Sequence, residues 1–173
     1  KRRFYPDLYV KTVYDIDLNS LKEMGIKAFI FDIDNTLVTY DDPVPTEIVM
    51  DYFKKLDDMG FKVYLVSNNN LERVKPFAEY AGLPYFAKAL KPRKKYLKIA
   101  LSDMGVKAEE TALVGDQLFT DVWAGTRMNM YAILVDPISD KEDSFVHFKR
   151  KIEKWIFNRC RCFRKIKILS SNY

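Results

Sequence analysis

Residues 30–37 read Ile-Phe-Asp-Ile-Asp-Asn-Thr-Leu, an apolar run that ends in two aspartates separated by one residue. The apolar character extends back to Ile26 and predicts a strand buried on both faces of a sheet. Ionised carboxylates are costly in such surroundings. At the carboxyl end of a strand in an open α/β sheet, however, the chain reaches the crevice where these sheets bind ligands. The octet therefore predicts either a ligand site or an ordinary polar turn, since Asp, Asn and Thr are also common turn residues.

The rest of the chain alternates strand and helix patterns. Further strands are predicted at 61–66, 85–87, 111–114 and 131–135, and helices at 19–24, 45–59, 71–80, after Pro92 as far as Gly105, and at 120–128. Residues 1–17 look like an irregular lead. This alternation predicts an α/β protein, a Rossmann-like three-layer α/β/α fold with a central parallel sheet of about five strands. We expect one domain over residues 1–140.

Composition sets broad limits on the class of protein. The chain has 173 residues, 48% hydrophobic and 31% charged, as is ordinary for a globular protein. It contains no apolar run of membrane-spanning length and no secretory signal pattern. Its two cysteines, Cys160 and Cys162, fit a reducing compartment. We therefore expect a cytoplasmic protein, with peripheral contact to the inner face of the membrane.

The positive charge is concentrated near the carboxyl terminus. Residues 141–173 contain ten Lys or Arg and three Asp or Glu, whereas residues 1–140 contain 19 and 21. Within this tail, 149–167 mixes basic residues with apolar ones at helical spacing, which suits an anionic bilayer surface. The alternative is a terminal helix that packs on the sheet and exposes its charges. Cys160 and Cys162 are either acylation sites or ordinary free thiols.

Polar residues follow four of the predicted strands. They are Asp32 and Asp34 after the first, Ser67 and Asn68 after the second, Lys91 after the third, and Asp116 with Asp121 after the fourth. Because the carboxyl ends of parallel strands share one edge of the sheet, these side chains are expected to converge. Carboxylates are the hard oxygen ligands that Mg²⁺ prefers, and a lysine with a hydroxyl can hold phosphate oxygens. The set predicts phosphoryl transfer.

The motifs that these residues form resemble those of the haloacid dehalogenase superfamily of phosphatases. Asp32-Ile33-Asp34-Asn35-Thr36 matches the first motif, Asp-x-Asp-x-Thr, and Val66-Ser67-Asn68 resembles the second. The third and fourth motifs are matched by Lys91-Pro92 and by Gly115-Asp116-Gln117-x-x-Thr120-Asp121. All four occur in order, between about residues 26 and 135.

The resemblance implies a role for each catalytic residue. Asp32 would be the nucleophile that becomes an aspartyl phosphate, and Asp34 would protonate the leaving oxygen and then activate water. Ser67 and Asn68 would bind the phosphoryl group. Lys91 would neutralise charge on that group and on Asp32.

The resemblance also implies a Mg²⁺ site. Its ligands would be Asp32, the backbone carbonyl of Asp34, and Asp116, with Asp121 binding through water or orienting a neighbour. Two of the assignments leave a structural alternative open. Asn68 is equally suited to a turn or helix cap, and Asp121 to the dipole at a helix start.

The spacing of the motifs leaves no room for a cap domain. The sequence also resembles the capless III-A branch of the superfamily, which includes the mitochondrial phosphatidylglycerophosphatase. The pattern that carries this resemblance runs from Tyr5-Pro6-Asp7-Leu8-Tyr9 through Asp15-Ile16-Asp17-Leu18 to Asp34-Asn35-Thr36-Leu37. The resemblance implies dephosphorylation of phosphatidylglycerophosphate, a step of phospholipid biosynthesis. An open site also suits a phosphoester carried on a large molecule or membrane.

Other functions remain open at this point. The same chemistry serves a soluble sugar phosphate, a nucleotide or a phosphoprotein. A receiver-type phosphoacceptor also combines aspartates, lysine and Mg²⁺, but Asp34 stands ready to drive hydrolysis and disfavours a lasting phosphorylated state. A nucleic-acid-binding module would use the basic tail and leave the four loops unexplained, so we expect no nucleic acid partner. Oligomeric state is not predicted.

Overall fold

The computed structural model describes residues 4–138. Strands and helices alternate along this part of the chain. They are β1 (Leu8–Val10), α1 (Leu18–Glu23), β2 (Ala28–Phe31), α2 (Glu47–Asp58), β3 (Lys62–Val66), α3 (Leu71–Ala81), β4 (Tyr85–Phe86), α4 (Lys95–Met104), β5 (Thr111–Gly115), α5 (Trp123–Met128) and β6 (Tyr131–Val135). Short 3₁₀ turns lie at Val13–Asp15 and Ala108–Glu110, and one π-helical turn lies at Leu118–Val122. The basic tail lies outside the described residues.

The six strands of the described residues form one parallel sheet in the order β1-β6-β5-β2-β3-β4. The predicted α/β fold is therefore confirmed, with one strand more than the approximate five. The additional strand is β1, which belongs to the segment predicted as an irregular lead. It pairs with β6 in the register Leu8 to Ile133, and the Asp7 amide donates to the Ala132 carbonyl at 2.8 Å.

Helices cover both faces of the sheet. Along β2, Phe29 and Phe31 face the cluster that contains Leu21, Phe53 and Phe77 of α1, α2 and α3. Ala28 and Ile30 face the opposite cluster, to which α4 contributes Leu97, Ala100 and Met104. Because successive strand residues point to opposite faces, β2 is buried on both sides, as its apolar sequence predicts.

Local signals set the helix ends close to the predicted positions. The Thr46 hydroxyl accepts a hydrogen bond from the Val49 amide at 3.4 Å, so α2 begins after this cap. The Asn70 side chain caps α3 in the same way, at 2.9 Å from the Arg73 amide. Gly82 ends α3 in the left-handed conformation, at φ 66°.

No cap domain interrupts the described residues. The connection from β2 to β3 contains only a loop and α2, and that from β3 to β4 contains only α3. Within residues 4–138, every helix falls short of the length and apolar character needed to cross a membrane. The carboxyl edge of the sheet therefore carries loops and no inserted domain within residues 4–138.

Candidate active site

Buried polar side chains collect at the carboxyl edge of the sheet. Asp32 follows β2 directly, and its amide donates to the Val114 carbonyl at 2.9 Å, which continues the pairing with β5. Ser67 follows β3, and Asp116 follows β5. All three are buried. The predicted convergence of the strand-end residues is what the topology produces.

Lys91 joins two of the carboxylates. Its Nζ lies 2.8 Å from Asp32 Oδ1 and 2.6 Å from Asp121 Oδ1, and only 2% of its side chain is exposed. Burial acts to lower the pKa of Lys91, but the charges and hydrogen bonds of Asp121 and Asp32 together outweigh burial and raise that pKa above its ordinary value. Lys91 is therefore a fixed positive charge beside Asp32.

Three carboxylates form a group suited to a metal ion. Asp32, Asp116 and Asp121 each offer an oxygen, and these oxygens all lie within 4.8 Å of one another. Burial raises the pKa of Asp32 to about 6, with Lys91 opposing that effect and Asp121 adding to it. The arrangement leaves more negative than positive charge in a buried cluster, which a bound cation would neutralise.

Asp121 is held in place by its own turn. The side chain is buried, and Oδ2 accepts a hydrogen bond from the Gln117 amide at 3.1 Å. A Cβ at Gly115 would lie 2.3 Å from Asp121 Cγ, so only glycine leaves room for this carboxylate. Asp121 lies in the π-helical turn Leu118–Val122, where the sequence predicts the start of a helix.

Asp34 points to different partners from Asp32. Its Oδ1 accepts a hydrogen bond from Arg73 Nε at 2.9 Å and forms an ion pair with Arg73 Nη2 at 2.7 Å, and its Oδ2 accepts a hydrogen bond from Asn69 Nδ2 at 3.0 Å. The Asp34 side chain is outside the group of three carboxylates. Its predicted part in the metal site was assigned to the backbone carbonyl and stays a prediction.

Arg73 and Asn69 are the site residues that the sequence reading missed. Only 8% of the Arg73 side chain is exposed. Its Nη2 also donates to the Thr39 carbonyl at 3.3 Å. The guanidinium lies 5.7 Å from the centre of the Tyr40 ring. One signal was available: Arg73 is in the first turn of α3, where the helix dipole disfavours a cation unless a carboxylate compensates it.

Asn68 and Ser67 have different surroundings. Asn68 Oδ1 accepts from the Lys91 amide at 2.6 Å, and Asn68 Nδ2 donates to the Lys91 carbonyl at 3.2 Å. Asn68 therefore fixes the backbone of the lysine loop, while the helix cap that was its alternative belongs to Asn70. The Ser67 hydroxyl accepts from the Asn69 amide at 3.1 Å and is buried beside Asp32's strand.

Comparison with known proteins identifies the family. Residues 39–129 match the model of the haloacid dehalogenase-like hydrolases. The chain is also 40% identical to the probable phosphatase YqeG of Bacillus subtilis, over 91% of this chain and 92% of that protein. The chain therefore belongs to the haloacid dehalogenase-like hydrolase family. The resemblance drawn from the four motifs is confirmed, and with it the prediction of a phosphatase-type enzyme.

More distant relatives extend the comparison. The chloroplastic phosphatidylglycerophosphate phosphatase 1 of Chlamydomonas reinhardtii is 27% identical over 87% of this chain, which spans 60% of that protein. Among solved structures, a haloacid dehalogenase family enzyme of Bacteroides thetaiotaomicron, crystallised as a mutant with magnesium and inorganic phosphate, superposes with a TM-score of 0.56. It is 14% identical, and the alignment covers 70% of this chain and 99% of that chain. This likeness shows the shared fold.

Proposed function

We propose that the protein is a Mg²⁺-dependent phosphomonoester hydrolase that works through an aspartyl-phosphate intermediate. The observation that carries the proposal is the position of Asp32, buried at the end of β2, 2.8 Å from Lys91 and within a group of three carboxylates. An aspartate in this setting has a positive neighbour to offset charge on an incoming phosphate. The family membership supports hydrolysis as the reaction.

The reaction proceeds in two steps. A carboxylate oxygen of Asp32 attacks phosphorus, the phosphorus–oxygen bond to the leaving group breaks, and Asp34 gives its proton to the departing oxygen. Asp34 then takes a proton from water, whose oxygen attacks the phosphorus of the acyl phosphate. The bond between phosphorus and Asp32 breaks, which releases inorganic phosphate and restores the Asp32 carboxylate and the protonated Asp34 carboxyl.

Lys91 and Ser67 assist by holding the phosphoryl group. The Lys91 ammonium, already paired with Asp32, offsets charge that builds up on the phosphoryl oxygens. The Ser67 hydroxyl, buried next to the nucleophile's strand, donates to one of these oxygens. Asn68 contributes through its two hydrogen bonds to the Lys91 backbone, which place the ammonium.

Magnesium fits the charge of the site. Asp32, Asp116 and Asp121 would hold it, together with the backbone carbonyl of Asp34. Among residues 4–138, Lys91 is the cation paired to this group, so three ionised carboxylates leave an excess of negative charge that a small divalent ion would neutralise. When bound, the ion supplies electrostatic stabilisation of the transferring phosphoryl oxygens.

For the substrate we propose phosphatidylglycerophosphate, which yields phosphatidylglycerol. The named activity of the Chlamydomonas relative supports this choice. So does the carboxyl edge of the sheet, where no inserted domain among the described residues encloses the site, as suits a phosphomonoester presented at a membrane surface. The soluble alternatives, a sugar phosphate, a nucleotide or a phosphoprotein, are competing outcomes of the test.

The test measures phosphate release from phosphatidylglycerophosphate in vesicles and from a panel of soluble phosphoesters, with Mg²⁺ and with EDTA. We expect Mg²⁺-dependent release, preference for the vesicle substrate, and loss of at least about a thousandfold in Asp32→Asn and Asp34→Asn. Asp57→Asn, an exposed change on α2, is the matched control and should behave like wild type. Full turnover by Asp32→Asn would refute the nucleophile assignment, and preference for a soluble ester would refute the lipid substrate.

A further inference from the structure

Positive charge is concentrated in one segment of the described domain. Residues 80–102 contain six Lys or Arg and no Asp or Glu, whereas the other residues of 1–140 contain 13 basic and 21 acidic side chains. Lys88, Arg93 and Lys95 of this segment are exposed. Arg127, also exposed, joins them because its Nη1 donates to the Pro92 carbonyl at 3.2 Å. A cationic surface therefore lies on a domain that is otherwise acidic.

The loop between β4 and α4 lies within this segment and exposes an apolar side chain beside the active site. Leu90 is 54% exposed, while the next residue, Lys91, is buried against Asp32. The Arg93 amide donates to the Leu90 carbonyl at 2.9 Å, so these residues form a tight turn. Leu90 adopts φ 55° and Lys88 φ 49°, conformations that cost a side-chain-bearing residue energy. The turn thus presents a leucine outward where asparagine or glycine would suit the backbone better.

We propose that the loop of residues 88–95 is a docking surface for anionic phospholipid. Leu90 enters the headgroup boundary, and Lys88, Arg93, Lys95 and Arg127 lie against the anionic headgroups. An exposed leucine among cations with no nearby acid in sequence is the combination that an anionic bilayer binds, since each part contributes to attachment. This inference rests on the proposed phosphatase function and adds to it a surface made of residues other than those of the basic tail.

The position of the loop gives the contact a consequence for substrate choice. Lys91 reaches the nucleophile from the same turn that carries Leu90, so a bilayer bound at Leu90 lies next to the mouth of the site. A phosphomonoester in the headgroup layer then meets Asp32 without leaving the membrane. We expect docking to raise turnover of a membrane-borne substrate and to leave a soluble ester unaffected.

The experiment compares variants of the full chain by flotation with vesicles of phosphatidylcholine alone or with phosphatidylglycerol added. Leu90→Asn removes the apolar group and suits the positive φ. Its matched control is Met24→Gln, because Met24 is 59% exposed and lies after α1, at the opposite edge of the sheet. The triple change Lys88→Gln, Arg93→Gln, Lys95→Gln is compared with Lys54→Gln, Lys55→Gln, Lys75→Gln, which removes equal charge from α2 and α3.

We expect Leu90→Asn to weaken binding to phosphatidylglycerol vesicles about tenfold, and the loop triple variant about a hundredfold. Both control variants should bind like wild type. Binding that is equal in the loop variants and their controls would overturn the proposal and assign attachment to another part of the chain. Loss of DNA binding by the triple variant, with Leu90→Asn unchanged on vesicles, would also overturn it, since the cations would then serve a nucleic acid.

Activity measurements separate this inference from the proposed function. Hydrolysis of para-nitrophenyl phosphate should be the same in wild type and both loop variants, whereas turnover of vesicle-borne phosphatidylglycerophosphate should fall with vesicle binding. Absence of hydrolysis in all proteins, with the binding differences intact, would refute the phosphatase and keep the docking surface. Equal lipid turnover by Leu90→Asn and Met24→Gln would refute the docking surface and keep the phosphatase.

Discussion

Asp34 moves protons in the proposed reaction, and its carboxylate is held by Arg73 and Asn69 before substrate arrives. Two hydrogen bonds fix its orientation, one from Arg73 Nε to Oδ1 and one from the Asn69 amide to Oδ2, and Arg73 Nη2 adds an ion pair with Oδ1. A general acid and base must be aimed at the oxygen that it serves. Arg73 is therefore a positioning residue whose effect on catalysis is exerted through Asp34.

Replacement of Arg73 should lower kcat and leave KM nearly unchanged. We expect Arg73→Gln to reduce kcat for an alkyl phosphate about 10- to 100-fold, and Arg73→Lys to restore part of it, because an ammonium can still donate one hydrogen bond. The loss should be smaller with para-nitrophenyl phosphate, whose leaving group needs little protonation. Lys75→Gln, an exposed change on the same helix, is the control. An equal loss of kcat with the alkyl phosphate and with para-nitrophenyl phosphate would indicate a purely structural role for Arg73.

The difference between Asp34 and Arg73 shows what a sequence reveals about single residues. Asp32 and Asp116 are predictable because each directly follows a strand, and parallel strands end at one edge. Lys91 is predictable because it lies in the loop that follows β4 at the same edge. The contact of Arg73 with Asp34 depends on how α3 packs against the loop after β2, and periodicity carries no information on that packing. Its partner could be found only from the fold.

At the level of elements, the junction between β5 and α5 is the least predictable. The sequence predicts a helix from about residue 120, whereas the chain forms a π-helical turn, Leu118–Val122, before α5. The wider turn places Asp121 where its carboxylate meets both the Gln117 amide and Lys91. Helical propensity alone favours the α-helix, and the buried ion pair with Lys91 offers a physical reason for the departure.

Gly115 makes this junction possible, and Gly115→Ala should disrupt it. The added Cβ would meet Asp121 Cγ at 2.3 Å, so the carboxylate must leave Lys91. We expect phosphate release to fall about 10- to 100-fold and the melting temperature to drop by several degrees. Both are measurable by phosphate assay and thermal unfolding.

A double mutant tests the cause of the Gly115→Ala defect. Asp121→Ala removes the side chain that would collide, so adding Gly115→Ala to it should cost little more. Fully additive losses in stability and activity would contradict the proposed clash.

The strand β1 also differs from the sequence-based prediction, which has an irregular segment there. With three residues, Leu8–Val10, it is too short for its alternation to be distinguished from an irregular segment. It forms because the edge of β6 offers partners, with Leu8 opposite Ile133 and Val10 opposite Val135. The longer elements, whose patterns span several turns or a buried strand, lie within a few residues of their predicted positions.

At the level of the whole molecule, stability and catalysis oppose each other at the carboxyl edge. Burial raises the pKa of Asp32 to about 6 from an ordinary value of 3.8, so the folded protein binds this proton more tightly than the unfolded chain does. The contribution of protonated Asp32 to the free energy of unfolding is complete below about pH 4 and is lost as pH rises through about 6. At neutral pH the metal-free fold carries an ionised carboxylate that burial disfavours.

Asp32→Asn should therefore stabilise the metal-free protein increasingly as pH rises. The neutral amide has similar size and no charge to desolvate, and the pKa difference corresponds to a gain of up to about 3 kcal/mol above pH 7. The measurement is urea unfolding of wild type, Asp32→Asn and the exposed control Asp57→Asn, in EDTA at pH 5 and pH 8. Mg²⁺ should then stabilise wild type by about 2.7 kcal/mol at a hundred times its Kd and Asp32→Asn by less. If Asp32→Asn is no more stable than Asp57→Asn at pH 8, burial does not disfavour the ionised nucleophile.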